Sequence, residues 1–183
     1  VVLTRMIPEN SGFGSFKLNK QLLRAVEEAG FVQPTEIQQK AIPQILAGHD
    51  LLGIAQTGTG KTAAYLLPLL MKIKYAQGDD PRALILVPTR ELATQVEQTI
   101  LQLSKYTDLR SVAVFGGVGI KPHIAAVKKG LDILVATPGR LMDLYLPGHL
   151  QLKHIQVFVM DEAERLLDMG FRQQIGRIIE VVP

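Results

Sequence analysis

The chain has 183 residues, enough for one domain with a sizeable core, and 47% are hydrophobic, which excludes a disordered chain. It has no cysteine, so disulfides and thiolate metal sites are excluded too. Twenty Lys+Arg against 17 Asp+Glu leave a net charge of +3, a mildly basic balance that permits a polyanionic partner without demanding one. No apolar run approaches the ~18 residues that span a bilayer. No signal-peptide pattern is visible at residues 1–5. The expected compartment is the cytoplasm, with no membrane contact.

In chain order, the first two elements are helices. A helix is expected over 20–29, opened by Asn19 as N-cap and closed by Gly30, with Leu22, Leu23 and Val26 on one face. A second is expected over 36–47, after Pro34 and Thr35 and before Gly48. Strand candidates follow at 50–55, 83–87, 111–115, 132–136 and 155–160. Each is a continuous apolar run, the pattern of strands covered on both faces. Helices are expected over 61–71, 90–105 and 139–146, and turns over 77–82 and 146–149. Lys128 and Lys129 read as a solvated helix end. Strand and helix alternation predicts an α/β fold with a doubly wound, mostly parallel sheet and helices on both faces. His49, His123, His149 and His154 suggest no metal cluster.

The most informative stretch is Ala55, Gln56, Thr57, Gly58, Thr59, Gly60, Lys61 and Thr62, between a strand and a helix. Backbone N–H groups and the helix start then converge on one anion, as in a phosphate-binding loop. Gly58 and Gly60 let the backbone wrap phosphates. Lys61 reaches the β- and γ-phosphates, and the Thr62 hydroxyl can ligate Mg²⁺. The strict pattern has Gly where Ala55 stands. The bland alternative is a Gly-rich turn before a helix.

Asp161, Glu162 and Glu164 follow the last strand candidate. They could favour a helix N-terminus, where acids meet the positive end of the dipole. In a P-loop protein, an Asp ending a second strand holds Mg²⁺. On that reading Asp161 takes the metal and Glu162 orients or deprotonates the attacking water.

Three further strand ends carry punctuation of one kind. Pro88, Thr89 and Arg90 follow one strand, Gly116 and Gly117 another, and Thr137, Pro138, Gly139 and Arg140 a third. Thr89 and Thr137 are N-cap types, and Pro138 suits a first helical position. In a parallel sheet all these ends share one edge, where ligands bind. A nucleotide needs only the P-loop. The remainder suits a longer polyanion held through backbone phosphates, although each piece alone is also ordinary loop punctuation.

Together these motifs resemble the first RecA-like domain of a DEAD-box RNA helicase, from about Phe13 to the last residue. The resemblance implies an ATP- and Mg²⁺-using, P-loop ATPase domain over 13–183, preceded by an extension over 1–12. Phe13, Gly30, Phe31, Pro34, Thr35 and Gln38 resemble the adenine-reading Q motif. Residues 55–62 resemble motif I, which tolerates Ala at its first position. Pro88 to Arg90, Gly116 with Gly117, and Thr137 to Arg140 resemble its RNA-backbone motifs, implying sequence-independent RNA binding. Thr35 and Gln38 also satisfy a capping box. The resemblance favours Gln38 on adenine N6 and N7, with Phe13 stacking.

Two departures stand out. Glu164 replaces the final Asp of the family's Asp-Glu-Ala-Asp, the residue that couples the ATP site to the second domain. The chain stops at Pro183, before the family's Ser-Ala-Thr motif, and Val1 is not Met. The resemblance therefore implies a fragment whose second RecA-like domain, with its arginine fingers, lies elsewhere in the protein. A monomer, nearly inactive in isolation, is expected. The alternatives are another P-loop NTPase, such as a DNA helicase or kinase, and an ATP-gated RNA clamp with poor turnover.

Overall fold

The computed structural model describes residues 12–49 and 60–183. The strand candidate at 50–55 lies outside them, as do Ala55 to Thr59 and nearly all of the extension. The chain forms two compact units, Val1–Lys74 with Thr99–Asp108, and Tyr75–Gln98 with Leu109–Pro183.

The first unit is helical where described. A 3-10 turn, Gly12–Phe16, precedes α1 (Lys20–Glu28), α2 (Glu36–Leu46) and α3 (Lys61–Ile73). Asn19 caps α1 as expected, its Oδ1 accepting the Leu22 N–H at 2.9 Å. Leu22, Ala25 and Val26 form the buried face of α1, and α2 packs on α3.

The second unit is built on a sheet. Its strands are β1 (Ala83–Leu86), β2 (Ser111–Val114), β3 (Ile133–Ala136) and β4 (Val157–Met160). All pair in parallel, in the order β2-β3-β1-β4. The central pair, β1 and β3, is buried at every residue, which explains their continuous apolar runs. The helices are α4 (Arg90–Leu103), whose first turns belong here, then α5 (Lys121–Lys128), α6 (Pro138–Tyr145), α7 (Ala163–Asp168) and α8 (Arg172–Val181). Leu84, Leu86, Leu134 and Ala136 on one sheet face pack with Val127, Leu141, Leu166 and Ile178 from α5, α6, α7 and α8. Truncating one such leucine to alanine costs about 2–5 kcal/mol. No helix among the described residues is long and apolar enough to cross a membrane.

The amino edge of the sheet is tied by one carboxylate. Asp132, just before β3, is fully buried. Its Oδ1 accepts from Arg82 Nη2 at 2.9 Å, Arg110 Nη2 at 3.1 Å and the Gln77 N–H at 3.0 Å. Its Oδ2 accepts from the Arg110 N–H at 2.9 Å and Nε at 3.2 Å. Burial pushes this carboxyl up. Hydrogen bonds from Arg110, Arg82 and Gln77 outweigh burial and hold it below the ordinary carboxylate range. Arg82 precedes β1 and Arg110 precedes β2, so Asp132 fastens three strand starts together.

Candidate functional site

One candidate region lies in the helical unit. Thr35 opens α2 with extended backbone, and its Oγ1 accepts the Gln38 N–H at 3.4 Å. Gln38 Oε1 accepts the Thr35 N–H at 2.9 Å, completing the capping box. Gln38 is buried, and its Nε2 donates to the Gly60 carbonyl at 3.1 Å. Gly60 is the N-cap of α3, at φ +81°, and a Cβ built there would collide with Gln38 Nε2. Glycine suits the left-handed backbone, and any Cβ would displace the Gln38 amide. With glycine at the N-cap, the cap residue itself puts no side chain on the N–H groups at the start of α3, where Lys61 and Thr62 stand. An amide has two N–H donors and two acceptor lone pairs. The bonds to Thr35 and Gly60 use one of each. The other five residues of the loop, Ala55, Gln56, Thr57, Gly58 and Thr59, lie outside the described residues.

Phe13 departs from its expected role. Its ring is fully buried, stacked on Phe31 at 6.1 Å and edge-on to Phe16 at 5.9 Å. In this conformation it offers no face to a base. It packs the core and supports the half-buried Phe31.

A separate candidate region lies along the carboxyl edge of the sheet. The register sets Leu86 opposite both Ala136 and Met160, and Val114 opposite Ala136. Four strand ends therefore lie level, carrying in spatial order Gly116–Gly117, Thr137–Arg140, Pro88–Arg90 and Asp161–Glu162. The ladder continues one step further, with the Val87 N–H on the Ala136 carbonyl at 2.9 Å and the Asp161 N–H on the Leu86 carbonyl at 2.9 Å. Asp161 is buried.

Glu162 sits at φ +52°, ψ +51°. Such backbone is uncommon for a residue with a Cβ, and costs of order 1–3 kcal/mol. Glu162 occupies the N-cap position of α7 without a side-chain cap bond, so helix capping does not account for this acid. Its carboxylate lies 3.3 Å from Arg165 Nη1. Glu164 is exposed in the first turn of α7.

Thr89 caps α4, its Oγ1 accepting the Leu92 N–H at 3.2 Å. Pro88 is buried and Arg90 exposed. Thr137 is the N-cap of α6 with Pro138 beginning the helix, but its side chain makes no cap bond. Gly116 and Gly117 are exposed, and Gly117 has φ +83°. Arg140 turns inward, with only 10% of its side chain exposed. Its Nη2 donates to the Val118 carbonyl at 2.9 Å, and its Nη1 lies 2.9 Å from His123 Nδ1. Burial first, then the Arg140 charge, push the His123 imidazole below its ordinary range.

Comparison with known proteins now bears on these features. A family model described as DEAD/DEAH box helicase matches residues 35–183, from the capping box through the acidic turn to the end. The chain belongs to that family. Its parallel sheet flanked by helices is the RecA-like α/β fold of a DEAD-box domain. The chain is 45% identical over 161 residues to "DEAD-box ATP-dependent RNA helicase 30" of Oryza sativa subsp. japonica, covering 86% of this chain and 24% of that protein. It is 45% identical over 174 residues to "ATP-dependent RNA helicase dbp10" of Schizosaccharomyces pombe, covering 94% and 20%. Against "ATP-dependent RNA helicase DBP2" of Encephalitozoon cuniculi it is 43% identical over 175 residues, covering 93% and 34%. The DEAD-box chain thus spans about a fifth to a third of these relatives' length.

Two features of the DEAD-box domain escaped the sequence reading. His123 looked like an isolated histidine, and its position with Val127 on the buried side of α5 was the available signal. The Arg82, Asp132 and Arg110 cluster carried no motif.

Proposed function

We propose that the chain is the ATP- and RNA-binding N-terminal domain of an ATP-dependent RNA helicase. Joined to a second RecA-like domain, it couples ATP binding and hydrolysis to remodelling of RNA duplexes. One observation carries this reading. The two glycines, Thr137 to Arg140, Pro88 to Arg90, and Asp161 with Glu162 stand level on one sheet edge of a DEAD-box domain.

Residues 56–62 cradle the phosphates, with Lys61 on the β- and γ-phosphates. The glycine N-cap of α3 suits that anion. Gln38 reads adenine with its remaining N–H and lone pair. Mg²⁺, bound with the nucleotide, would neutralise phosphate charge, and Thr62 and Asp161 are the residues that would hold it. Asp161 fits this role as a buried carboxylate whose backbone is pinned by β1. Glu162 orients or deprotonates the attacking water. RNA is held by its backbone at Thr89, Arg90, Gly116, Gly117 and the start of α6, so binding is indifferent to base sequence and weakens with salt. Glu164, one methylene longer than Asp, alters the reach of the link to the second domain.

The deciding experiment is ATPase of the protein with both domains, with and without RNA. RNA-stimulated turnover abolished by Glu162→Gln is expected, together with preference for ADP over GDP. Glu164→Asp should raise the RNA stimulation. RNA-stimulated binding without turnover, restored by Glu164→Asp, would replace the helicase with an ATP-gated RNA clamp. Equal binding of ADP and GDP would refute the adenine assignment.

A further inference from the structure

The two arginines at the carboxyl edge look equivalent in sequence, each in the first turn of a helix after a strand, yet the structure treats them differently. Arg90 is exposed, its guanidinium 5.2 Å from the centre of the Phe115 ring. Arg140 is nearly enclosed and already engaged. Its Nη2 holds the Val118 carbonyl, its Nη1 meets His123 Nδ1, and its Nε lies 3.5 Å from Asp143 Oδ2. Guanidinium only donates, so Nδ1 of His123 is the acceptor and the neutral ring carries its proton on Nε2. The His123 ring also meets Phe115 edge-on, with centroids 5.2 Å apart. Arg90, Phe115, His123 and Arg140 thus form one continuous series of contacts across the ends of β1, β2 and β3. Gly116 and Gly117 lie between Phe115 and Val118, the two points this series fixes.

We propose that Arg140 is a positioning residue for RNA binding. Through His123 and the Val118 carbonyl it holds the loop after β2 in the shape that presents Gly116 and Gly117, and it does not itself meet a phosphate. This rests on the RNA-backbone reading above. Arg90 is the phosphate-binding cation of this edge, supported from beneath by Phe115. The enclosed, neutral imidazole suits the role, because a protonated ring could not accept from Arg140.

Salt dependence separates positioning from contact. For single-stranded RNA, each phosphate contact adds about 0.7 to the slope of log K against log salt. With the 183-residue chain and a single-stranded RNA, Arg90→Ala should reduce that slope by about 0.7. Arg140→Ala should weaken binding by about tenfold or more, the scale of a lost charge-assisted hydrogen bond, and leave the slope unchanged. Arg140→Lys should fail as Arg140→Ala does, since ammonium cannot bridge His123 and Val118 together. His123→Ala should mimic Arg140→Ala, and His123→Gln, which keeps an acceptor, should restore binding. A slope reduced by Arg140→Ala, or binding rescued by Arg140→Lys, overturns the proposal. Nitrogen NMR of the His123 ring, without RNA, should show the Nε2–H tautomer, and amides at 116–120 should exchange faster in Arg140→Ala. Normal loop protection in that variant also overturns the proposal. If the unmutated chain binds no RNA, the RNA reading falls and the proposal with it, and the NMR arm reports whether the latch itself stands.

Discussion

Replacing Asp132 by Asn tests what holds the amino edge of the sheet together. The carboxylate accepts three hydrogen bonds at Oδ1, from Arg82, Arg110 and Gln77, and two at Oδ2, from the N–H and Nε of Arg110. Asn keeps one acceptor oxygen and sets an NH₂ against at least two donors. It also removes the negative charge that two guanidinium groups share here, one of them with 8% side-chain exposure. Removing one member of a buried ion pair costs about 3–5 kcal/mol. That is a large part of the ~5–15 kcal/mol that stabilises a typical domain. At about 2–4 °C per kcal/mol for a chain of this size, the melting temperature should fall by about 6–20 °C. Urea unfolding followed by far-UV circular dichroism measures the loss directly. The sign of the pH dependence is fixed by the depressed pKa. Asp132 contributes fully above its unfolded value of about 3.9, and the contribution is lost as pH falls through the lower folded value. The difference between wild type and variant should be constant from about pH 7 to 5 and shrink below about pH 4. A loss under about 1 kcal/mol at pH 7, in the range of exposed pairs, would refute this account.

Gly60→Ala should lose at least about 1–2 kcal/mol from the left-handed backbone alone, and should free Gln38 from the Gly60 carbonyl, weakening ADP binding in calorimetry. Gln38→Ala should lower stability by about 1–2 kcal/mol, since it removes the side-chain half of the capping box and the bond to the Gly60 carbonyl, and should also reduce the preference for ADP over GDP; an unchanged melting temperature would contradict the observed bonds. At position 162, Gly should be more stable than Ala by about 1 kcal/mol, opposite to the usual order, and equal stability of the two variants would show that Glu162 is unstrained. Residues 1–183 by themselves should bind nucleotide but hydrolyse it little and without RNA stimulation, because an arginine finger is worth about 10³–10⁵ in rate, or about 4–7 kcal/mol. Robust turnover by this chain, abolished by Glu162→Gln, would refute the two-domain mechanism.

The strands β1 and β3 were legible because full burial demands short, unbroken apolar runs, and 83–87 and 133–136 have them, whereas β2 and β4 kept apolar runs although most of their residues are only partly buried. Helix starts were legible where a side chain caps them, as at Asn19, Thr35 and Thr89. They were not legible at α8, whose N-cap is Phe171 with no side-chain bond and whose interior holds Gly176. That helix depends on Ile175 and Ile178 reaching the sheet core, a tertiary effect that local pattern does not carry. Site chemistry followed the same division. Gln38 and Thr35 announced their bond by spacing. The inward contacts of Arg140 were not legible because its partners, His123 and Val118, are 17 and 22 residues away. Phe13 read as a stacking ring because nothing local reveals that Phe16 and Phe31 enclose it. The left-handed turn at Glu162 left no trace either, since glutamate has no intrinsic preference for it.

The level ends of the parallel strands make the core a timing device for the chemistry. Successive residues of a strand face opposite sides, so a slip of β4 by one residue against β1 would turn Asp161, whose N–H continues the ladder on the Leu86 carbonyl, to the other face. The same slip would turn Phe158, which packs against the core, to the other side. Side chains of the core therefore fix which face of the sheet Asp161 takes. Insertions or deletions within 157–160 should be more damaging than any single substitution there, because they change the phase rather than the composition.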